Sequence, residues 1–108
     1  MDTFLEAEEI ARLATEIASE KQANDITMLD VRGVCSFADY FVICTGDTKR
    51  HIEAIWQGLD EVMRHRGIVS HHREGTSDSG WMLVDLGWVI VHIFAPAERD
   101  YYQLDRLW

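Results

Sequence analysis

The sequence predicts a single α/β domain of the α+β kind, spanning residues 1–108, in which a mixed sheet of about five strands is flanked by helices. Two observations lead to this prediction. Apolar residues recur at helical spacing in two long segments, and short apolar runs of strand length stand between glycine-containing or polar turns. The length allows one domain, and a hydrophobic content of 47% suffices for a core without disulfides. The predicted order of elements is α-β-β-α-β-β-β-α.

The first half of the chain is predicted to contain one helix and two strands. Residues 3–21 carry an amphipathic helical pattern, and Thr3 and Glu6 have the spacing of a capping box. Residues 26–31 are predicted to form a strand. Residues 40–44 are apolar throughout, as expected for a strand that is covered on both faces.

The second half is predicted to contain two helices and three strands. A helix with a clean apolar stripe begins after Thr48 and stops at Gly67. Residues 68–73 form a short strand, and residues 81–85 and 89–94 form an antiparallel hairpin that turns through Leu86 and Gly87. A last helix begins at Pro96, because proline is tolerated in a first turn.

Charge and hydropathy narrow the classes of partner. The formal net charge is −9, which disfavours phosphate backbones and predicts little or no direct nucleic-acid binding. A basic protein is the easier target for such a surface. The sequence contains no apolar run of about 18 residues, and the acidic start has neither the basic region of a signal peptide nor the arginine-rich face of a transit peptide. We therefore expect a cytoplasmic location and no membrane contact.

Candidates for chemistry are weak. The turn at residues 46–51 could hold an anion at a helix N-terminus, but it matches neither a P-loop nor a dinucleotide fingerprint, and an ordinary strand-to-helix turn is the alternative. The cysteines and histidines show no ligand spacing, and no catalytic triad and no Asp-x-Asp pair is present. The prediction is a protein that is not an enzyme, without catalytic residues, metal or cofactor.

The last third of the chain is the candidate binding surface. Aromatic residues beside arginine and carboxylates are typical of protein interfaces. The predicted partner-binding residues are Glu74, Trp81, Asp85, Arg99, Tyr101, Tyr102 and Leu104. Because side chains alternate along a strand, Trp81, Leu83 and Asp85 share one face. The alternative is that Trp81 and Tyr101 are core residues, and that Asp85 caps a turn or pairs with Arg99.

Four ordered blocks resemble one known family. They are Asp39-Tyr40-Phe41-Val42-Ile43-Cys44-Thr45-Gly46, then Arg50-His51-Ile52, then Glu74-Gly75 followed by Trp81-x-x-x-Asp85, and finally Val91-His92-Ile93-Phe94 with the ending at residues 99–108. At these residues the sequence resembles the ribosomal silencing factor family, also called RsfS or Iojap. The resemblance covers residues 25–108.

The resemblance implies a role without chemistry. Members bind large-subunit ribosomal protein fourteen on the intersubunit face of the large ribosomal subunit, block subunit association and repress translation when nutrients are short. Organelle relatives act in large-subunit assembly. The resemblance also implies a homodimer off the ribosome and a nucleotidyltransferase-like topology from which the catalytic carboxylate pair is missing; an enzyme of that type is the remaining alternative.

The sequence departs from the family in one turn. Trp88 follows Leu86-Gly87 at a position where relatives usually carry aspartate. An aromatic side chain there is expected to pack on the terminal helix or on a dimer partner.

Overall fold

The computed structural model describes residues 6–68 and 72–102, and these residues fold as the predicted series of elements. The elements are α1 (Ala7–Glu20), β1 (Asn24–Asp30), β2 (Tyr40–Thr45), α2 (Lys49–His65), β3 (His72–Glu74), β4 (Trp81–Asp85), β5 (Val89–Phe94) and α3 (Pro96–Tyr102). The α+β class and the order of elements are confirmed. The predicted site residue Leu104 lies outside the described residues.

The five strands form one mixed sheet in the order β1-β2-β5-β4-β3. Strand β2 pairs parallel with β5, whereas the other neighbouring pairs are antiparallel. The hairpin of β4 and β5 is confirmed, and the Leu86 N–H closes it on the Val89 carbonyl at 2.9 Å. Strands β2 and β5 lie at the centre and every residue in them is buried, which explains their continuous apolar sequence.

Two predicted boundaries were wrong. Helix α1 begins at Ala7 with Glu6 at its N-cap, where the backbone N–H of Glu6 donates to the Glu9 carboxylate at 3.1 Å; Thr3 lies outside the described residues. The same i, i+3 spacing occurs twice in succession, and the buried stripe that starts at Ala11 selects the later one. The third strand was predicted at residues 68–73; β3 is His72–Glu74, Ile68 is not part of a strand, and residues 69–71 lie outside the described residues. Ile68 follows α2 and closes its C-terminal end, where the Ile68 N–H bonds to the Met63 carbonyl at 2.8 Å.

The two faces of the sheet are covered differently. Helices α1 and α2 bury the first face, where they pack on alternate residues of the central strands such as Val42 and Val91. The second face carries the other alternate residues, including Phe41 and Phe94. It is covered by the loop at residues 31–39 and by short α3, which leaves Trp81 and the neighbouring Leu83 partly exposed.

A candidate protein-binding surface

Aromatic rings run in continuous contact across the second face. We call this set the aromatic array; its members are Phe41, Trp81, His92, Phe94, Tyr101 and Tyr102. The ring centroids of Trp81 and Tyr102 lie 4.5 Å apart, and those of Trp81 and Phe94 lie 5.0 Å apart. Trp81 and Tyr102, two of the predicted partner-binding residues, are therefore in contact. Tyr101 and Tyr102 are 81% and 41% exposed, so the array reaches the surface at α3.

His92 holds the indole of Trp81 in place through a hydrogen bond. The Trp81 Nε1–H donates to His92 Nδ1 at 3.2 Å, and the imidazole is only 4% exposed. Burial lowers the pKa of His92 to about 4, so the ring is neutral at physiological pH. Because Nδ1 accepts, the proton resides on Nε2, which has no hydrogen-bond partner within the described part of the chain. Trp81 is thus held between a hydrogen bond and the ring of Tyr102.

A cavity of about 250 Å³ opens beside Trp81. Its walls are Glu74, Gly75, Ser79, Trp81, Leu83 and Tyr102. Gly75 has φ +82°, and a Cβ there would lie 2.0 Å from the Trp81 carbonyl oxygen, so only glycine lets the chain pass this close to β4. The cavity therefore brings three predicted site residues together: Glu74, Trp81 and Tyr102.

Arg99 binds within its own chain. Its guanidinium donates to the Asp25 carbonyl at 2.9 Å, to Thr45 Oγ1 at 3.0 Å and to Thr27 Oγ1 at 3.3 Å. These bonds tie α3 to the ends of β1 and β2. The structure therefore gives Arg99 the role of positioning the helix that carries Tyr102.

Asp85 lies apart from the other predicted site residues. It is four residues from Trp81 along β4, a distance of about 13 Å. Its carboxylate accepts the Gly87 N–H at 2.8 Å and so caps the hairpin turn, as the alternative interpretation held. The suggested pairing of Asp85 with Arg99 is wrong, because Arg99 lies at the other end of the sheet. Leu104 lies outside the described residues.

Trp88 lies away from the part of the terminal helix that the structure describes. It is 58% exposed, and its carbonyl accepts the N–H groups of Asp39 and Tyr40 at the start of β2. The described part of α3 lies at the other end of that strand, where Arg99 reaches Thr45. The described part of α3 therefore does not make the expected contact with Trp88, and the alternative, packing on a dimer partner, stays a prediction.

The candidate anion site at the start of α2 is filled by internal bonds. The Asp47 N–H donates to His51 Nδ1 at 2.9 Å, and Thr48 Oγ1 accepts the His51 N–H at 3.0 Å. His51 Nε2 in turn donates to the Lys21 carbonyl at 2.8 Å, and Lys49 forms an ion pair with Asp78 at 2.9 Å. The geometry favours the ordinary strand-to-helix turn.

Residues 6–68 and 72–102 give little support for a metal site or a reactive cysteine. No group of three or more histidine, cysteine or carboxylate side chains is arranged there to hold a metal ion. Burial raises the pKa of the Cys44 thiol to about 12, which leaves it protonated and unreactive. Within the same residues, the helices are too short or too polar to cross a bilayer.

A family profile described as "Ribosomal silencing factor during starvation" matches residues 5–108. The chain belongs to the ribosomal silencing factor family. This result confirms the resemblance drawn from the four sequence blocks. The family has a regulatory role in ribosome silencing.

Individual silencing factors and relatives agree with this membership. The chain is 39% identical over 99 residues to ribosomal silencing factor RsfS of Bacillus subtilis, a match that covers 92% of this chain and 84% of the relative. A crystal structure of a Chromobacterium violaceum protein superposes with a TM-score of 0.92 at 34% identity, covering 96% of this chain and 87% of that one. The mouse protein named mitochondrial assembly of ribosomal large subunit protein 1 is 29% identical over 99 residues, covering 89% of this chain and 43% of the relative.

Three members of the aromatic array were not among the predicted partner-binding residues. Phe41, His92 and Phe94 were assigned to buried strands, and burial of a whole strand hides which residues face the partly covered side. The alternation of side chains places His92 and Phe94 on one face of β5, and a polar histidine in an otherwise apolar strand was the available signal.

Proposed function

We propose that this protein represses translation by binding large-subunit ribosomal protein fourteen on the intersubunit face of the large subunit, so that the small subunit cannot join. Family membership supports the general role. The aromatic array is the observation that carries the choice of surface, because half-buried aromatic side chains around a cavity are typical of binding hot spots.

Charge favours a basic protein as the partner. Glu74 lines the cavity beside Trp81, and Asp100 is exposed next to Tyr101 on α3. The whole chain carries a formal charge of −9. An apolar centre with an acidic rim complements a surface of lysine and arginine and would accelerate encounter with it, and binding should weaken as salt is added.

To block subunit joining in this way, the protein only has to occupy the surface of the large subunit; no covalent chemistry is needed. A standard interface of roughly 1,600 Å² is within the reach of a small domain. We therefore propose no enzymatic activity, no cofactor and action in the cytoplasm. An assay of ATP turnover with magnesium tests the alternative of a nucleotidyltransferase-type enzyme; turnover lost in Asp30→Asn or Asp85→Asn would support that alternative.

Two further proposals follow from the family. Large-subunit assembly is the second candidate role, favoured by the name of the mouse relative. Off the ribosome we propose a homodimer, which would shield exposed aromatic groups such as Tyr101. Sedimentation equilibrium over a range of protein concentrations tests the dimer.

The deciding experiment measures binding and subunit joining together. Wild-type protein should co-sediment with purified large subunits and reduce their association with small subunits, as followed by light scattering. Tyr102→Ala removes a ring that is 41% exposed and should weaken binding by about 30-fold or more while the melting temperature changes little.

Gln57→Ala is the matched control, because Gln57 is exposed on α2, which packs on the opposite face of the sheet. It should bind like wild type. Co-sedimentation of the wild-type protein with small subunits alone, or with neither subunit, would refute the proposed function. Equal binding by a folded Tyr102→Ala variant would refute the chosen surface.

A further inference from the structure

A second exposed apolar group lies at the other end of the sheet. Val34, Phe37 and Trp88 are 65%, 60% and 58% exposed, and together we call them the apolar tip. Val34 and Phe37 belong to the loop before β2, and Trp88 belongs to the turn before β5. Large apolar side chains this exposed, on a loop and a turn that backbone hydrogen bonds join, are typical of an interaction site.

The backbone of the apolar tip is firmly held. The Trp88 carbonyl accepts the Asp39 N–H at 2.7 Å and the Tyr40 N–H at 3.2 Å, and the Asp39 carbonyl accepts the Val31 N–H at 2.9 Å. These bonds join the loop and the turn across the start of the parallel pair of strands. A surface held in this way loses little conformational entropy when a partner binds.

The apolar tip is continuous with the aromatic array. The ring centroid of Phe37 lies 6.2 Å from that of Phe41, and Phe41 lies 4.9 Å from His92. His92 in turn lies 5.9 Å from Trp81. The apolar tip and the exposed end of the aromatic array are separated by roughly one strand length, about 13 Å. A single partner that buries about 800 Å² on each side can cover both.

The charges around the apolar tip favour a basic partner over a second copy of this chain. Asp39 and Asp85 are neighbours of its loop and its turn. Arg32, on the same loop, is already bonded to Asp30 at 2.6 Å. A second copy would bring the same acidic residues together, whereas lysine or arginine side chains would complement them.

We infer that the apolar tip is a second anchor for the same basic large-subunit protein, and that it receives an apolar side chain flanked by lysine or arginine. This inference rests on the proposed function. The large-subunit protein would then contact both ends of the second face. Trp81 and Tyr102 would bind it at one end, and Phe37 and Trp88 at the other.

The test uses Phe37→Ser and Trp88→Ser, singly and together, in the full chain with purified large subunits. Each single variant should weaken binding by about tenfold, and the double variant by more, with the melting temperature unchanged. Gln57→Ser is the control on the opposite face and should bind normally. Because Phe37 touches Phe41, Trp88→Ser keeps the test valid if Phe37→Ser melts early.

The outcomes separate the inference from the proposed function. If the folded variants bind like wild type while Tyr102→Ala binds weakly, the apolar tip is not an anchor and the proposed function stands. If the variants lose self-association in sedimentation equilibrium but keep large-subunit binding, the tip contacts a second copy and the inference is overturned. If wild-type protein itself fails to bind large subunits, both fall.

Discussion

Replacing His92 by phenylalanine should change how the stability of this protein depends on pH. Burial lowers the pKa of His92 to about 4, from an ordinary value of 6.5. Between these values the unfolded chain binds the proton and the folded chain does not, so the free energy of unfolding falls as the pH falls. The contribution is fully present above pH 6.5 and is lost progressively down to pH 4.

The magnitude follows from the difference between the two pKa values. At pH 5 the wild type should have lost about 2 kcal/mol from this group, and below pH 4 the loss should approach about 3 kcal/mol. In His92→Phe that loss disappears. The variant should nevertheless be about 1 kcal/mol less stable near neutral pH, because the Trp81 N–H loses its acceptor.

Urea unfolding followed by far-ultraviolet circular dichroism measures both effects. Wild type and His92→Phe are compared at about pH 7.5 and about pH 5, so that titration of the many carboxylates cancels in the difference. The order of stability should reverse between the two conditions. His65→Gln, at an exposed position in the last turn of α2, is the control and should follow the wild-type profile.

A constant difference between wild type and His92→Phe at both pH values would refute this reasoning. It would mean that His92 is not held as a buried neutral ring beneath Trp81. A reversal in the His65→Gln control would refute the assignment of the effect to His92.

Two further predictions concern the supports of the cavity and of α3. Gly75→Ala should lower the free energy of unfolding, measured in thermal melts, by more than about 2 kcal/mol, because its Cβ would meet the Trp81 carbonyl at 2.0 Å. Gly33→Ala, at a similar φ but with nothing within 4 Å, is the control and should cost about 1 kcal/mol. Equal costs would contradict the close approach of Gly75 to β4. Arg99→Met should lower the free energy of unfolding by about 2 kcal/mol and speed amide hydrogen exchange in α3, because the hydrogen bonds to Thr45 and its neighbours are lost. Unchanged exchange would show that other contacts hold α3.

The sequence predicted the fold best where local patterns and tertiary packing agree. Strands β4 and β5 have the predicted ends, because an Asp-Leu-Gly turn separates two runs of strand length. Ile68 was wrongly assigned to β3, because its N–H bonds to the Met63 carbonyl and closes the C-terminal end of α2. The cap of α1 was misplaced, because two candidate boxes follow one another and only packing on the sheet distinguishes them.

The candidate site was predictable only in part, for a physical reason. Trp81 meets Tyr102 because Trp81 pairs with Phe94 at the end of β5, and β5 runs directly into α3. The internal bonds of Arg99 could not be predicted, because Asp25 and Thr45 are distant in sequence and reach α3 only through the strand order. Asp85 was grouped with Trp81 because they share a face, but alternation along a strand gives no information about which end a partner covers.

The unequal covering of the two faces connects the fold to the proposed function. Helices α1 and α2 bury the first face completely enough to supply a stable core at Ile55 and Leu59. The second face can therefore keep Trp81 half-exposed without loss of the fold, since the sheet does not depend on α3 alone for its core. His92 and Arg99 hold Trp81 and the helix of Tyr102 in place before any partner arrives. A protein that acts by occupying a surface needs this combination, because rings that are already ordered lose less entropy on binding than mobile ones.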